Sequence, residues 1–261
     1  MPAPTSINYG QVAVGYDKSR RLEPAISSAL IAGLRSLNAR SVLEIGAGTG
    51  NYSASLVANG FAVTAIDREP AMVAIGATKA PASWIVADAA DLPVRARSFD
   101  AAVAVNVLHH LPDLDRALAS FRRVVRRGAV MQAVVRENLA TLWYRHYFPE
   151  IDELLLPLHP PLGHLITAML RAGFAGVSSR KIFYAGDGDL TFEAARARPH
   201  LMFDSDFRAA ISGFRRLSSA CVARGLGELE RDIATGAFAS ITASYDSAHA
   251  DVGDCVVIMA R

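Results

Sequence analysis

The sequence predicts an α/β fold: a mostly parallel sheet of seven strands, with helices on both faces and a helical insertion before the last strand. Three observations carry this expectation. Short apolar runs alternate with helical stretches through the first half of the 261-residue chain, the rhythm of strand–helix–strand units. The first strand runs into a glycine-rich turn that opens a helix, and the next two strands end on aspartates. Two late segments that read as strands, at 177–184 and 254–260, complete the sheet around a helical segment.

The elements follow in order. Residues 41–45 (SVLEI) read as a buried strand, and residues 51–59 as a helix. The strand 62–66 ends at Asp67, and a helix over 70–76 places Pro70 in its first turn, where a missing N–H costs nothing. Residues 84–87 form a third strand ending at Asp88, and 100–107 a fourth. The nearly continuous apolar run of the fourth fits a strand covered on both faces. Over 113–125 the residues Leu114, Ala117, Leu118, Phe121, Val124 and Val125 share one helix face, and 129–135 is the fifth strand. Beyond Arg136 the rhythm changes: 138–160 mixes aromatics, histidines and prolines, 162–171 is a helix ended by Gly173, and 190–234 is helical. The reading is one domain, 1–261, with an inserted cap.

Composition excludes several classes. At 51% hydrophobic and 20% charged residues, the chain is neither a disordered tail nor a collagen-like or disulfide scaffold. A formal charge of +2, from 27 basic and 25 acidic residues, disfavours a dedicated nucleic-acid binder. Two cysteines, Cys221 and Cys255, are too few for a thiolate metal site, no other ligand set is evident, and no metal is expected. Nothing demands a disulfide, which fits a reducing cytoplasm. The N-terminal stretch lacks the charged start and apolar core of a secretory signal. No apolar run approaches the ~18 residues of a membrane helix, so a cytoplasmic protein without membrane contact is expected.

The informative segment is Val42-Leu43-Glu44-Ile45-Gly46-Ala47-Gly48-Thr49-Gly50. A strand feeding alternating glycines at a helix N-terminus lets a ligand touch backbone N–H groups. The dinucleotide fingerprint needs glycine at the sixth position, which here is Asn51, and the Walker lysine is absent. The spacing G-x-G-x-G, preceded by Glu44, resembles that of the class I S-adenosylmethionine-dependent methyltransferases. Asp67 ends the second strand, with Arg68 beside it, where that family places an acid on the ribose hydroxyls. A carboxylate accepts from both neighbouring hydroxyls; capping the next helix is the competing role of Asp67. Asp88 and Ala89, in VADAADLP, match the adenine-binding turn, where a turn aspartate is the plainer alternative. Asn106 and Val107 open NVLHHLPD, which matches the segment after the fourth strand and would border the methionine part of the cofactor. Tyr9-Gly10-Gln11-Val12-Ala13-Val14-Gly15-Tyr16-Asp17 resembles the lid helix of the ubiquinone- and menaquinone-type small-molecule methyltransferases, with Tyr16 near the methionine moiety. Arg126-Arg127-Gly128-Ala129 departs from the family's proline–glycine pair in a loop.

The resemblance spans roughly residues 5–136 and implies a Rossmann-like core. It divides the chain into lid helices at 1–40, a cofactor-binding core at 41–137, an acceptor-side region at 138–252 and a final strand at 253–261. It implies S-adenosylmethionine as methyl donor, S-adenosylhomocysteine as product, and transfer to an O, N or C atom of a small molecule. Positioning is then the main catalytic effect. A base is needed only if the acceptor must lose a proton, and His110 and His109, at the carboxyl edge of the sheet, are the candidates. His146, His159 and His164 lie in the variable region. Trp143, Tyr144, His146 and Tyr147 belong to the densest aromatic cluster and are the candidate acceptor-binding residues, with core packing as the competing role. Phe183, Tyr184, Met202, Phe203 and Phe207 would form an opposite wall. Arg122, Arg123, Arg126 and Arg127 resemble a phosphate-binding patch, against which stands a solvated helix end. An RNA methyltransferase, a non-catalytic cofactor-binding protein and a nicotinamide oxidoreductase are the alternatives. A homo-oligomer is compatible with the fold, but no interface is readable.

Overall fold

The structure is a computed structural model that describes residues 17, 21–184, 194–211 and 213–261. Seven strands form one sheet in the order β3-β2-β1-β4-β5-β7-β6. They are β1 (Ser41–Ile45), β2 (Ala62–Asp67), β3 (Ser83–Val86), β4 (Phe99–Val105), β5 (Val125–Ala133), β6 (Val177–Ile182) and β7 (Cys255–Ala260). β7 runs antiparallel to both β5 and β6, and the other pairings are parallel. The expected seven-stranded, mostly parallel sheet is therefore present.

Helix α1 (Pro24–Ser36) has Pro24 at its first position and Glu23 accepting from the Ala25 N–H. Helices α2 (Asn51–Ala58) and α3 (Pro70–Lys79) follow β1 and β2. Helix α4 (Leu114–Val124) is strongly amphipathic, and the Asp113 side chain caps it by accepting from Arg116 N at 2.9 Å. It buries Ala117, Leu118, Phe121 and Val124, the face read from periodicity. The short helices α5 (Arg136–Leu139) and α6 (Ile151–Leu155) precede α7 (Leu162–Arg171), which has the predicted bounds. After β6 come α8 (Ala194–Ala197), α9 (Ser205–Ala210), α10 (Ser219–Thr235) and α11 (Ala237–Val252).

Two apolar cores flank the sheet. One holds residues of α1 and α2 with the aromatic segment 142–148; the other holds α4, α7 and Leu92. Strand β5 starts four residues earlier than the 129–135 expectation, directly after α4, and β4 stops at Val105 because Asn106 takes φ 55. The expected run 190–234 is broken into α8, α9 and α10 by Pro199 and Ser218, which start new turns. Helix α11 was not expected: it has no strong apolar stripe and no fully buried residue.

The arginine run is consumed by the fold. Arg126 and Arg127 reach Asp100 at 3.0 and 3.4 Å. Arg123 donates to the carbonyls of Val94 and Leu92, both at 2.7 Å, and Arg122 to Gly173 at 2.9 Å. Asp100 also accepts from the N–H groups of Arg40 and Ser41. Burial opposes its charge, but these bonds outweigh burial and hold the carboxyl well below the usual range.

Candidate active site

The strand order reverses between β1 and β4, and a cleft opens there at the carboxyl ends of β1, β2, β3 and β4, where open α/β sheets bind ligands. It encloses about 860 Å³ counted out to its open mouth. Of the expected cofactor residues, Gly46, Gly48, Asp67, Arg68, Asp88, Ala89, Asn106 and Val107 line it, as does His110. Ile66, Met72, Leu111 and Pro112 supply apolar walls. Tyr16 lies outside the described residues, as do Tyr9 and the rest of the expected lid helix except Asp17.

The glycine loop is shaped by close approach. Gly46 has φ 68, and a Cβ there would sit 2.3 Å from Val107 Cγ2, so only glycine lets the two loops meet. Gly50 does not line the cleft; it caps α2 with φ 82, and a Cβ would meet the Trp84 ring at 2.9 Å. Ala47 is buried, its N–H bonded to Ile66 O at 2.9 Å. Glu44 also sits behind the loop: it is 2% exposed and accepts from Ser53 Oγ at 2.5 Å. Burial, with the nearby Asp67 charge, outweighs that bond and pushes its carboxyl up to about 7.

Asp67 uses both oxygens for the fold. Oδ1 accepts from Glu69 N at 3.0 Å and Oδ2 from Gly48 N at 2.8 Å. Each carboxylate oxygen accepts more than one bond, so both remain available to hydroxyl donors in the cleft. Burial raises its pKa against the pull of those two N–H groups. Asp88 Oδ1 accepts from Ala90 N at 2.7 Å, an Asx turn that leaves Oδ2 for an amino donor. Arg68 is the only Lys or Arg lining the cleft among the described residues, and Glu69 pairs with it at 3.4 Å.

These features fit a cationic nucleoside and do not fit a pyrophosphate. A polyphosphate needs free loop N–H groups or unpaired cations. Here the Gly48 N–H is spent on Asp67, and the carboxylates of Asp67, Glu69 and Asp88 outnumber the single guanidinium of Arg68 on the wall. A sulfonium with ribose and adenine groups matches the donor set: carboxylates for hydroxyl and amino donors, and apolar side chains for a flat ring.

His109 stands behind His110, with ring centroids 3.9 Å apart, and stacks on His159 at 4.5 Å. His159 is buried, and its Nδ1 lies 2.9 Å from Val134 O, so that nitrogen carries the proton. Burial holds its pKa below the ordinary value. Trp143, Tyr144 and Tyr147 are buried in the aromatic core, while His146 is exposed beside Tyr147. None of these four lines the described cleft. Phe203 and Phe183 are among the exposed large apolar residues, and Met202 and Phe207 are buried.

Sequence reasoning missed two contributors. Asp17 accepts from Thr49 Oγ1 at 2.6 Å and Lys79 Nζ at 2.8 Å, which joins this residue to the glycine loop and to α3. Gln132 supports Asn106 from behind the cleft; a single amide in the apolar run 129–135 was its only signal. Among the described residues no group of three or more His, Cys, Asp or Glu is placed to hold a metal ion. No disulfide is formed among them, and no helix is long and apolar enough to cross a membrane.

A sheet of this order with its glycine loop and paired acids at the switch point defines a nucleoside-binding α/β domain. Comparison with known proteins is more specific. Residues 43–132 match the methyltransferase domain family. The malonyl-[acyl-carrier protein] O-methyltransferase of Methylococcus capsulatus is 32% identical over 131 residues, 47% of either chain. The demethylmenaquinone methyltransferase of Thermobifida fusca is 29% identical over 138 residues, 49% of this chain and 58% of its own. The chain spans about half the length of the curated relatives it matches. A crystal structure from Anabaena variabilis, assigned as a methyltransferase from an antibiotic biosynthesis pathway, superposes with a TM-score of 0.73. It is 25% identical, covering 93% of this chain and 98% of its own. The match to the methyltransferase domain family thus falls on residues 43–132, the segment that builds the glycine loop and the cleft, within a fold shared with that methyltransferase structure.

Proposed function

We propose that the whole chain transfers a methyl group from S-adenosylmethionine to an O, N or C nucleophile of a small molecule in the cytoplasm. The observation that carries this reading is the cleft itself. Two strand-end carboxylates, Asp67 and Asp88, face a glycine loop with no unpaired Lys or Arg on the cleft wall among the described residues. When bound, the sulfonium supplies an activated methyl group.

The chain's own residues do the rest. Asp67 would hold the ribose hydroxyls and Asp88 with Ala89 the adenine edge, while Gly46, Gly48, Asn106 and Val107 would frame the methionine part, with Arg68 and the Asp67 carboxylate at the rim. Glu44, Ala47 and Gly50 shape the loop from behind. His110, on the cleft wall, is the proposed proton acceptor when the nucleophile must lose a proton, with His109 behind it. Trp143, Tyr144 and Tyr147 brace the acceptor-side region, 138–252, from within its core, and His146 offers a polar edge.

A small-molecule acceptor is favoured over RNA because the four arginines of the basic run are engaged by carbonyls and Asp100. The similarity to the Anabaena protein over nearly its full length supports a biosynthetic acceptor. The test incubates the purified protein and tritiated-methyl S-adenosylmethionine with a fractionated bacterial extract. Label in the small-molecule fraction supports the proposal. Label confined to RNA, or none in any fraction, contradicts it.

A further inference from the structure

We propose that Gln132 is a positioning residue that sets the cofactor cleft through Asn106; the inference rests on the cleft taking S-adenosylmethionine. Gln132 lies on β5 in register with Val105 and is 0% exposed. Its Oε1 accepts from the Asn106 N–H at 2.9 Å. Asn106 is the first residue to leave β4 and takes φ 55, a conformation open to asparagine but uncommon for most residues. Without Gln132 that N–H would be an unpaired donor.

The consequence reaches the cleft in one step. Asn106 and Val107 line it, and Val107 Cγ2 fills the space where Gly46 would carry a Cβ. The path of 105–107 therefore fixes the spacing between the β4 turn and the glycine loop. Stability alone does not account for the residue. Gln132 Nε2 is buried with no hydrogen-bond partner among the described residues, and an unspent buried donor is destabilising. Methionine of similar length would fill the site without that cost. What glutamine adds is the oxygen under Asn106.

The experiment compares wild type, Gln132→Met and Gln132→Glu by melting temperature, by calorimetric titration with S-adenosylhomocysteine and by amide exchange at Asn106 in ligand-free protein. Gln132→Met removes one unspent donor, Nε2, and leaves another, the Asn106 N–H, so it is expected to melt close to wild type, to bind about tenfold more weakly and to lose protection at the Asn106 amide. Gln132→Glu, which keeps an acceptor oxygen, is expected to recover binding and protection. A folded Gln132→Met that binds like wild type, or keeps Asn106 protected, overturns the inference. If Gln132→Met does not fold, a folded Gln132→Glu that binds as poorly as an Asp67→Ala control overturns it. Wild type that binds no S-adenosylhomocysteine sinks the cofactor reading instead, while the exchange at Asn106 still reports whether Gln132 holds that turn.

Discussion

The Gly48 N–H donates to Asp67 Oδ2 at 2.8 Å, so the end of β2 is bonded directly to the middle of the glycine loop. The same carboxylate takes the Glu69 N–H at 3.0 Å through its other oxygen. Asp67 therefore joins two turns and faces the cleft between them. The two roles read from the sequence, turn residue and ligand residue, do not compete: the turn bonds hold the carboxylate on the cleft wall, where we propose that it takes the ribose hydroxyls.

Replacing Asp67 by Ala is expected to weaken S-adenosylhomocysteine binding by about 1–3 kcal/mol, the range for losing charge-assisted hydrogen bonds. Titration calorimetry measures this. An unchanged dissociation constant would confine Asp67 to its turns.

Gly46→Ala is expected to abolish detectable binding, because the new Cβ would stand 2.3 Å from Val107 Cγ2 at φ 68. Adding Val107→Ala relieves the overlap but not the backbone strain, so the double variant should regain part of the affinity. A single variant that binds normally would show that the loop is looser than its contacts imply.

Glu44 should make stability fall with rising pH. Burial pushes its folded pKa up to about 7, above the ordinary glutamate value of 4.5. Below the unfolded value both states bind the proton. Between the two values the folded state holds more protons than the unfolded chain, so stability is lost as pH climbs to about 7. The melting temperature of wild type relative to Glu44→Gln should therefore drop across that window. The full effect is on the order of 3 kcal/mol. A pH-independent difference would mean that Glu44 is charged in the fold throughout.

Asp100→Ala should destabilise the protein by about 2–4 kcal/mol, since it strips two backbone N–H groups and two guanidinium groups of their acceptor. The Asp100 pKa is lowered, so its contribution is present above the ordinary carboxylate range and fades as pH falls below it. Urea midpoints at neutral pH and in acid test both statements. A variant as stable as wild type would reduce these bonds to surface ornament.

The first half of the fold was legible because its signals are local. Apolar runs such as Val42–Leu43–Glu44–Ile45 and the α4 stripe of Leu118, Phe121 and Val124 declare their own periodicity. Strand ends were less so: β4 stops at Val105 through a left-handed Asn106, which sequence periodicity does not encode. The acceptor side was harder. Trp143 and Tyr147 carry the same letters whether they pack in a core or wall a pocket, and only the tertiary fold buries them. Helix α11 escaped because its faces differ little in polarity. Gln132 escaped because a single amide in an apolar strand does not reveal which backbone group it serves.

The most direct test is calorimetric titration of the purified chain with S-adenosylhomocysteine, alongside NADH. The account predicts saturable one-to-one binding of S-adenosylhomocysteine and no heat from NADH. Binding of NADH with none of S-adenosylhomocysteine would contradict it at its centre.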